Sequence, residues 1–419
     1  MKILIDNSGY DILNVGDTVM LRVALARIKK ILPHAKLSIL TRAPEVILRS
    51  FPGVSPLPPL SKLDLNIIRR PNQRFYKWLP WRISVRISDF EEQLWLNKTN
   101  WGLSNYGAIY GSETLKCLDD FDAVIGTGGG YLNSTFEGHA ISVLTLIATA
   151  QRLGKPTFLV GQGIGPIKSK RLALTMEKVL NQLDLICIRE KNSSYKVLEE
   201  LCVDSTRIRV TGDDAIELAF NSRPNTLGDF VGLNFRKASY SAIDEKFACD
   251  ISETICDVVE NLNSKIIPIP ISLSGLDDDE KATVNAVANK KLLVNFENNS
   301  DIMGDSAISA VGNCRVVVTA SYHAGLFALS QGVSVLGIAK NQYYADKFNG
   351  LADMFGNVGC TVWHADRMHK DRLREILLEL WSNADLARDI LLEKALEQIN
   401  LGDEAYLEVC NILDTSNRS

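Results

Sequence analysis

The sequence lacks the paired ligands of a structural metal site. None of its eight cysteines forms a C-x-x-C pair, and none of its five histidines forms a His-x-x-x-His pair. Structural zinc sites are usually built from such closely spaced ligands. Several cysteines lie inside apolar runs such as "LICIRE" (185–190), where a free thiol behaves as a small hydrophobe. A zinc-dependent fold is therefore not expected, and scattered single cysteines fit a reducing compartment.

Long hydrophobic runs and an excess of positive charge are also absent. The longest apolar stretch, "AISVLTLIATA" (140–150), is about half as long as a membrane span. The start of the chain, "MKILIDNSGYD", carries an acid at Asp6 and is typical of a first strand, not of a signal peptide. The net charge of −4 disfavours general nucleic-acid binding. We expect a cytoplasmic protein with no nucleic-acid partner.

Short apolar runs alternate with helical patterns along the 419 residues, which is typical of α/β domains with parallel sheets. The length favours two domains. A cluster of Pro, Gly, Asn and Ser between them, "NSRPNTLGD" (221–229), predicts a linker. We therefore predict two doubly wound domains, 1–221 and 229–366, followed by a helical tail, 367–419, that packs back on the first domain.

One segment of the first domain, about 60–120, breaks the alternation and predicts an insert. Between positions 69 and 86 it carries six Arg or Lys, no acid and four large aromatic residues. Such a patch could face anionic lipid at the inner side of a membrane or a lipid-linked substrate. The simpler interpretation is a solvated charged face whose aromatic residues pack on the first domain, and we favour it.

Polar or glycine-rich junctions follow four predicted strands of the first domain: "NVGD", "GTGGGYLN", "GQGIGP" and "IREKNSSYKVL". Glycine lets a ligand approach the backbone, and a helix start offers free N–H groups to an anion or a hydroxyl. The G-x-G-x-x-G spacing of a dinucleotide site is missing. Each junction could instead have a purely structural role: a helix cap that binds no ligand or, for Arg189, a salt bridge to a neighbouring strand end. The candidate residues are Asn14, Gly16, Asp17, Gly128, Gly129, Gly130, Gln162, Gly163 and Arg189.

A fifth junction, "TASYHAGLFALSQG" (319–332), follows the apolar run "CRVVV" in the second domain. It places His323 in the first turn of a helix, beyond the carboxyl end of a strand, where ligands of α/β domains bind. A single histidine is more often structural than catalytic. This position, however, suits a general acid or base that works near neutral pH.

Seven blocks in this order resemble the polysaccharide pyruvyl transferase family: "NVGD", "GTGGGYLN", "GQGIGP", "IREKNSSYKVL", "TGDDAIEL", "GLNFR" and "SYHAGLFALSQGVSVLGI". They span most of the chain apart from the insert and the tail. The resemblance implies two Rossmann-like domains arranged as in glycosyltransferase-B enzymes. It also implies transfer of an enolpyruvyl unit from phosphoenolpyruvate to two hydroxyls of a sugar in a polysaccharide or glycan precursor, with release of phosphate.

The family resemblance also implies roles for individual residues. His323 is the expected acid/base, and Arg189 is expected to hold the phosphate or carboxylate of the donor. The glycine-rich turns of the first domain are expected to bind the acceptor. Phosphoenolpyruvate is a co-substrate, and neither a cofactor nor a metal is expected. The remaining donor-binding candidates are Ser321, Tyr322, Arg236, Lys340 and Lys347.

The chain departs from the family at one position. The usual block is Arg-x-His, but here Ser321 stands at the arginine position. A hydroxyl offers no charge, whereas a guanidinium offers a charged bidentate fork. Loss of such a contact typically costs about 2–4 kcal/mol unless another cation replaces it. The expected replacements are Arg189, Arg236 in "GLNFR", Lys340 and Lys347.

Two other functions fit parts of the pattern. The junction at 319–332 loosely resembles the donor-binding turn of glycosyltransferase-B enzymes that use nucleotide sugars. Those enzymes usually carry an acid in this helix for the ribose hydroxyls, but Phe327, Ala328, Leu329 and Ser330 occupy the corresponding positions. A non-catalytic carbohydrate-binding homologue is the third possibility, supported only by the missing arginine.

Overall fold

The structure, a computed structural model, contains two α/β domains. It describes residues 1–60, 114, 117–236, 242–275, 278–294 and 301–416. The basic, aromatic-rich segment 69–86 lies outside these residues, so the membrane contact suggested for it stays a prediction.

The first domain is built on an eight-stranded sheet in which every strand pair is parallel. The strand order is β3-β2-β1-β4-β6-β7-β8, and β5 pairs with β6. The strands are β1 (Lys2–Asp6), β2 (Lys36–Leu40), β3 (Val54–Leu57), β4 (Ala123–Gly126), β5 (Gly129–Leu132), β6 (Thr157–Ile164), β7 (Leu185–Ile188) and β8 (Ile208–Val210). The helices are α1 (Val15–Ile31), α2 (Pro44–Ser50), α3 (Glu137–Arg152), α4 (Lys170–Leu180) and α5 (Lys196–Glu200).

The second domain has a five-stranded parallel sheet of order β10-β9-β11-β12-β13. Its strands are β9 (Phe230–Asn234), β10 (Ile266–Pro268), β11 (Cys314–Thr319), β12 (Ser334–Ala339) and β13 (Cys360–His364). The helix α6 (Ala215–Asn221) leads into it, and the others are α7 (Glu245–Asn261), α8 (Asp279–Ala286), α9 (Asp305–Gly312), α10 (Tyr322–Ser330), α11 (Gln342–Met354), α12 (Lys370–Ser382) and α13 (Ala384–Ser416).

Both sheets are buried on both faces, because their strands consist of almost continuous apolar runs. Successive side chains of a strand point to opposite faces. In β1, Ile3 and Ile5 therefore join one core, and Leu4 joins the other. In β11, Val317 likewise lies on the opposite face from its neighbours Val316 and Val318. The predicted pair of doubly wound parallel-sheet domains is confirmed.

The longest apolar stretch of the sequence forms the middle of α3, and residues 140–150 are all buried in the first domain. This explains why the helix shows no polar face. Within the described ranges, no helix combines the length and the apolar character needed to cross a membrane.

The predicted tail, 367–419, divides its contacts between the domains. The helix α12 packs in a core of the second domain. Near the C-terminal end of α13, Val409 and Leu413 are buried in a core of the first domain. The Tyr406 hydroxyl of the same helix donates to Asp214 Oδ2 (2.8 Å). Earlier in α13, Arg388 Nη1 donates to the carbonyl oxygen of Gln331 in the second domain (2.9 Å). The last helix therefore spans both domains.

The sequence pattern was wrong about some strands. The apolar run "KLLVNF" predicts a strand at 291–296, but residues 290–292 form a turn of 3₁₀-helix, and Leu293 makes a single bridge to Ile266. Asn289 caps this turn by accepting a hydrogen bond from the Lys291 N–H (3.2 Å). Strands β3, β5 and β13 were not predicted. Glycine and proline in β3 and β5 hide the usual strand pattern.

Candidate active site

A cleft of about 460 Å³ lies between the two domains, at the carboxyl ends of their strands. From the first domain it is lined by the loop that follows β1 and by Arg189, which follows β7. From the second it is lined by Arg236 after β9 and by residues 321–323 after β11. Ligands of parallel α/β sheets bind beyond the strand carboxyl ends, so this cleft is the candidate active site.

Backbone hydrogen bonds join the domains beside the cleft. The Val15 N–H donates to the carbonyl oxygen of Ile271 (2.8 Å), and the Leu273 N–H donates to that of Leu13 (2.9 Å). These bonds hold the start of α1 against the loop that follows β10. The first-domain and second-domain walls of the cleft are thereby fixed relative to each other.

His323 lies in the first turn of α10, and its side chain is only 12% exposed. Its Nε2 atom is 3.9 Å from Asp213 Oδ2 and has no hydrogen-bond partner among the residues that the structure describes. Burial lowers the pKa of His323 well below its ordinary value, and the charges of Arg189, Lys347 and Arg236 lower it further. The imidazole is therefore neutral at pH 7 when the cleft holds no anion.

Gly16, at the start of α1, provides the surface on which the His323 ring packs. A β carbon at Gly16 would lie 2.1 Å from Cγ and Nδ1 of His323, far inside van der Waals contact. The predicted glycine of the "NVGD" block therefore supports the histidine across the domain boundary.

The variant Gly16→Ala is expected to displace the His323 ring and to lower the free energy of unfolding by about 1–3 kcal/mol, as overpacking does. Gly138→Ala is the matched control, since no atom lies within 4 Å of a β carbon built there. Denaturant unfolding of both variants measures the effect. Equal stability of the two variants would contradict this account of Gly16.

Arg189 is buried in contact with two carboxylates. Its Nε donates to Glu190 Oε1 (2.7 Å), its Nη1 donates to Asp213 Oδ2 (3.1 Å), and its Cζ lies 4.2 Å from the centre of the Tyr322 ring. Burial raises the pKa of Asp213 to about 6, although the Arg189 charge opposes the shift. Because Asp213 also approaches His323, Arg189 and Asp213 together form the support behind the histidine. The sequence analysis did not select Asp213, although its block, "TGDDAIEL", was among the seven.

Two further cations reach the cleft. Arg236 is 9% exposed, and its Nη1 lies 3.4 Å from Oδ1 of the buried Asp279. Burial raises the pKa of Asp279 to about 6, against the effect of Arg236. Lys347, on α11, lines the cleft near Arg189: a β carbon at Gly130 would lie 3.0 Å from Arg189 Nη2 and 3.6 Å from Lys347 Nζ. Arg189, Arg236 and Lys347 together form the cation cluster of the cleft.

Lys340 was predicted beside these cations but is directed elsewhere. Its Nζ lies 3.4 Å from Oδ2 of the exposed Asp244 and 4.5 Å from the centre of the Phe247 ring, and it is not among the residues that line the cleft. Lys340 directly follows β12, and its two partners lie at the start of α7, where Asp244 is the N-cap and Phe247 is in the first turn. Its predicted donor-binding role finds no support in this position.

Ser321 and Tyr322 occupy the wall beside His323. The Ser321 N–H donates to Thr319 Oγ1 (2.8 Å), and both side chains line the cleft. Tyr322 is 5% exposed, and its hydroxyl has no hydrogen-bond partner within the described part of the chain. The ring of Tyr322 therefore supports the guanidinium of Arg189.

The predicted acceptor-binding turns divide into two groups. Asn14, Asp17 and Gly130 line the cleft, whereas Gly16, Gly128, Gly129, Gln162 and Gly163 lie behind its wall. Gln162 is fully buried, and its Nε2 donates to the carbonyl oxygen of Thr127 (2.6 Å). A β carbon at Gly163 would lie 2.7 Å from Arg189 Nη2, so this glycine makes room for the guanidinium. Their binding roles stay predictions, and the second group is placed to support the wall.

Asp17 lies in the first turn of α1, where its N–H donates to Oδ1 of the helix N-cap, Asn14 (3.3 Å). Its carboxyl faces the cleft and is half-buried. Burial raises the pKa of Asp17, and the charges of the cation cluster oppose the shift. Asp17 and His323 therefore interact with the same three cations.

An aromatic wall lines the first-domain side of the cleft and was not predicted from the sequence. It is formed by Tyr10, Tyr131, Phe136 and His139. The rings of Tyr10 and Tyr131 lie 4.9 and 4.7 Å from the His139 ring, centre to centre. Burial, with Arg42 nearby, lowers the pKa of His139 to about 4, so this imidazole is neutral. Tyr10 and Tyr131 directly follow the glycines of "NSGYD" and "GTGGGYL", and this was the available signal.

Comparison with known proteins adds a family and a set of structural likenesses. The sequence model described as polysaccharide pyruvyl transferase matches residues 14–341. No curated protein matches the chain significantly.

Solved structures share the fold at low sequence identity. A Listeria monocytogenes protein assigned as a UDP-N-acetylglucosamine 2-epimerase is 13% identical, with a TM-score of 0.61, and the match covers 99% of this chain and 97% of that one. Phytolacca americana UGT2, complexed with UDP-2-fluoro-glucose and pterostilbene, is 13% identical, with a TM-score of 0.55 and 99% of both chains covered. A glycosyltransferase from Rickettsia africae is 14% identical, with a TM-score of 0.55 and 98% of both chains covered. These likenesses confirm the glycosyltransferase-B-like fold and nothing further.

Proposed function

Because the chain belongs to the polysaccharide pyruvyl transferase family, we propose that it transfers an enolpyruvyl unit from phosphoenolpyruvate to two hydroxyls of one sugar. The products are a cyclic pyruvyl ketal and free phosphate. Membership of the family makes the chain an enzyme of the pyruvyltransferase type that acts on a polysaccharide or glycan acceptor. The donor and the roles of individual residues are the proposal.

The observation that carries the proposal is the meeting of His323 with the cation cluster in one cleft. Phosphoenolpyruvate carries a carboxylate and a phosphate, and charge-assisted hydrogen bonds from Arg and Lys suit both groups. Once the anion is bound, its negative charge offsets the cations that lower the pKa of His323. The imidazole then takes up a proton, which makes it the acid that protonates C3 of the donor.

The cation cluster can also compensate for the absence of the family arginine, whose position is occupied by Ser321. Arg189 belongs to the first domain and is held there by Glu190 and Asp213, and Lys340 points away from the cleft. Arg236 is also paired, with Asp279, but it belongs to the second domain, as Lys347 and Ser321 do. Arg236 and Lys347 are therefore the cations proposed to take over the lost contact. Both line the cleft from the second domain, as Ser321 does.

The aromatic wall is the proposed acceptor side. Small-molecule sites combine aromatic surface with a few placed polar groups, and a pyranose ring offers apolar C–H faces together with hydroxyls. Tyr10 and Tyr131 use their hydroxyls internally, donating to Asp6 Oδ1 (2.8 Å) and to the carbonyl oxygen of Thr127 (3.2 Å). What they offer to a ligand is ring surface. The half-buried Phe136 extends this surface toward the opening.

The variant Phe136→Ala is expected to raise KM for the acceptor about tenfold, because part of the apolar surface that covers the sugar is lost. KM for phosphoenolpyruvate should not change, since the cation cluster is intact. Steady-state kinetics with each substrate varied in turn measures both constants. A rise confined to the donor KM would place the acceptor elsewhere.

A nucleotide-sugar donor is the competing function, and the wall formed by α10 disfavours it. Residues 327–330, where such enzymes usually carry an acid, hold no carboxylate and are buried. The structural likenesses to enzymes of UDP-sugars concern the fold alone. A cytoplasmic location and a lipid-linked acceptor stay predictions.

Incubation with phosphoenolpyruvate and a panel of sugar acceptors tests the proposed function. We expect release of phosphate only when a suitable acceptor is present. Parallel reactions with UDP-sugars serve as the comparison. If the protein binds a UDP-sugar saturably and releases no phosphate from phosphoenolpyruvate with any of the acceptors, the proposed function is wrong and glycosyl transfer takes its place.

A further inference from the structure

We propose that Asp17 is the catalytic base that accepts the proton of the acceptor hydroxyl as this hydroxyl adds to C2 of the donor. The inference rests on the proposed function and adds a second acid–base residue to it. His323 protonates the donor carbon, and Asp17 deprotonates the acceptor oxygen.

Position and exposure select Asp17 from the carboxylates of the site. Among the described residues that line the cleft, the carboxylates are Asp11 and Asp17. Asp11 is 54% exposed at the rim and pairs with Arg42 (2.8 Å). Asp213 and Asp279 are buried behind the wall, where each accepts a hydrogen bond from an arginine. Asp17 is thus the carboxylate that faces the interior of the cleft.

The backbone brings Asp17 close to the catalytic histidine. Its neighbour Gly16 packs directly on the His323 ring, and both side chains line the same cleft. On its other side the loop after β1 closes over the carboxylate, since a β carbon built on Gly9 would lie 3.2 Å from Asp17 Oδ2. The same loop carries Tyr10 of the aromatic wall. Asp17 therefore lies where the proposed acceptor side meets the donor side.

The charges around Asp17 suit a base that works with His323. Burial raises the pKa of the Asp17 carboxyl, while the Ser8 side chain and the charges of Arg236, Arg189 and Lys347 oppose the shift by favouring the ionised form. The same cations and burial lower the pKa of His323. A raised pKa makes the ionised carboxylate a stronger base toward the acceptor hydroxyl.

The proton flow of the proposed reaction balances. In the first step the acceptor oxygen bonds to C2 and its proton passes to Asp17, while protonated His323 supplies the proton for the new C–H bond at C3. In the second step the C2–O bond to phosphate breaks, and phosphate leaves with the electron pair and the proton from Asp17. The second hydroxyl then bonds to C2 and returns a proton to His323. Each turnover restores both residues without an oxidant or a reductant.

The variant Asp17→Asn tests this role, because asparagine keeps the shape and removes the base. We expect kcat to fall by about 10²–10⁴-fold, the usual contribution of a general base, with phosphoenolpyruvate binding preserved. Asp346→Asn is the matched control: this acid is exposed on α11 beside Lys347, outside the cleft lining. In Asp17→Ala, added formate is expected to restore part of the activity.

The pH profile separates a base from a structural residue. The charged groups that act on Asp17 are Arg236 after β9, Arg189 after β7 and Lys347 on α11, together with the Ser8 side chain. The titratable group that lines the same cleft from the opposite domain is His323 on α10. Because Asp17 must be ionised, wild-type kcat should fall as the pH drops through its raised pKa, and Asp17→Asn should lose this acidic limb.

Three results would overturn the role of Asp17. The first is an Asp17→Asn protein with wild-type kcat and an unchanged acidic limb, and the second is an Asp17→Ala protein that formate does not rescue. The third is an Asp17→Asn protein that loses donor binding and has a lowered unfolding midpoint. Failure of the wild-type protein to release phosphate is a different outcome, since it would overturn the proposed function itself.

Discussion

Replacing His323 by glutamine is expected to lower kcat for pyruvyl transfer by about 10²–10⁴-fold. Glutamine can still form hydrogen bonds in this position, but it cannot give a proton to C3 of the donor. The ring lies in a cleft with three cations and packs on Gly16, so the variant changes the chemistry more than the shape of the site. Single-turnover measurement of phosphate release gives the effect on the chemical step.

Proton uptake provides an independent check on His323. Burial and the neighbouring cations lower the pKa of His323 well below its ordinary value, so the neutral form predominates at pH 7 before the donor binds. Binding of the anionic donor raises this pKa, and the histidine gains a proton. Titration calorimetry in buffers of different ionisation enthalpy should show uptake by the wild type and none by His323→Gln. Full activity of the variant, or equal uptake by both proteins, would remove the histidine from the mechanism.

Replacing Arg189 by glutamine is expected to lower the free energy of unfolding by about 3–5 kcal/mol, which is typical when one partner of a buried ion pair is removed. The Arg189 side chain is 2% exposed, and its partners Glu190 and Asp213 are 6% and 0% exposed. Without the guanidinium, two carboxylates are left buried without their cation. Activity should be lost as well, because Asp213 and Tyr322 no longer hold the wall beside His323.

Arg209→Gln is the matched control for this effect. Arg209 also forms hydrogen bonds with a carboxylate, that of Glu408, but both side chains are 37% exposed. Exposed pairs contribute about 0–1 kcal/mol, so the control should be nearly as stable as the wild type. Denaturant unfolding of the two variants gives the comparison. An Arg189→Gln protein with wild-type stability and only a raised donor KM would contradict the structural role and leave Arg189 with donor binding alone.

The sequence predicted the fold well because parallel sheets leave a strong pattern. Apolar runs such as "KILID" and "CRVVVT" are long enough and buried enough to be recognised without the structure. The short strand β5 was harder to predict: it is formed by "GGYL", whose two glycines are unfavourable in a strand and leave too short an apolar run for a pattern. Local propensity fails there because tertiary pairing with β6 decides the conformation.

The site was predicted in part. Residues at the ends of strands can be placed near the cleft from the sequence, as was done for His323, Arg189 and Asp17. The sequence does not show which way a side chain points or what a glycine packs against. Gly163 packs against Arg189 and not against a ligand, and Lys340 points toward Asp244, away from the cleft. The aromatic wall was missed because Phe136 and His139 lie beyond the glycine-rich turn, at the start of α3, and only the folded loop brings them to the cleft.

The most direct test of the central claim is the reaction in deuterium oxide with phosphoenolpyruvate and an acceptor that supports phosphate release. If His323 delivers a solvent-derived proton to C3, nuclear magnetic resonance of the sugar product should show a ketal methyl group with one deuterium, CH₂D. Its formation should match phosphate release one to one. A product without a ketal methyl group, or with an unlabelled one, would contradict pyruvyl transfer by protonation at this cleft.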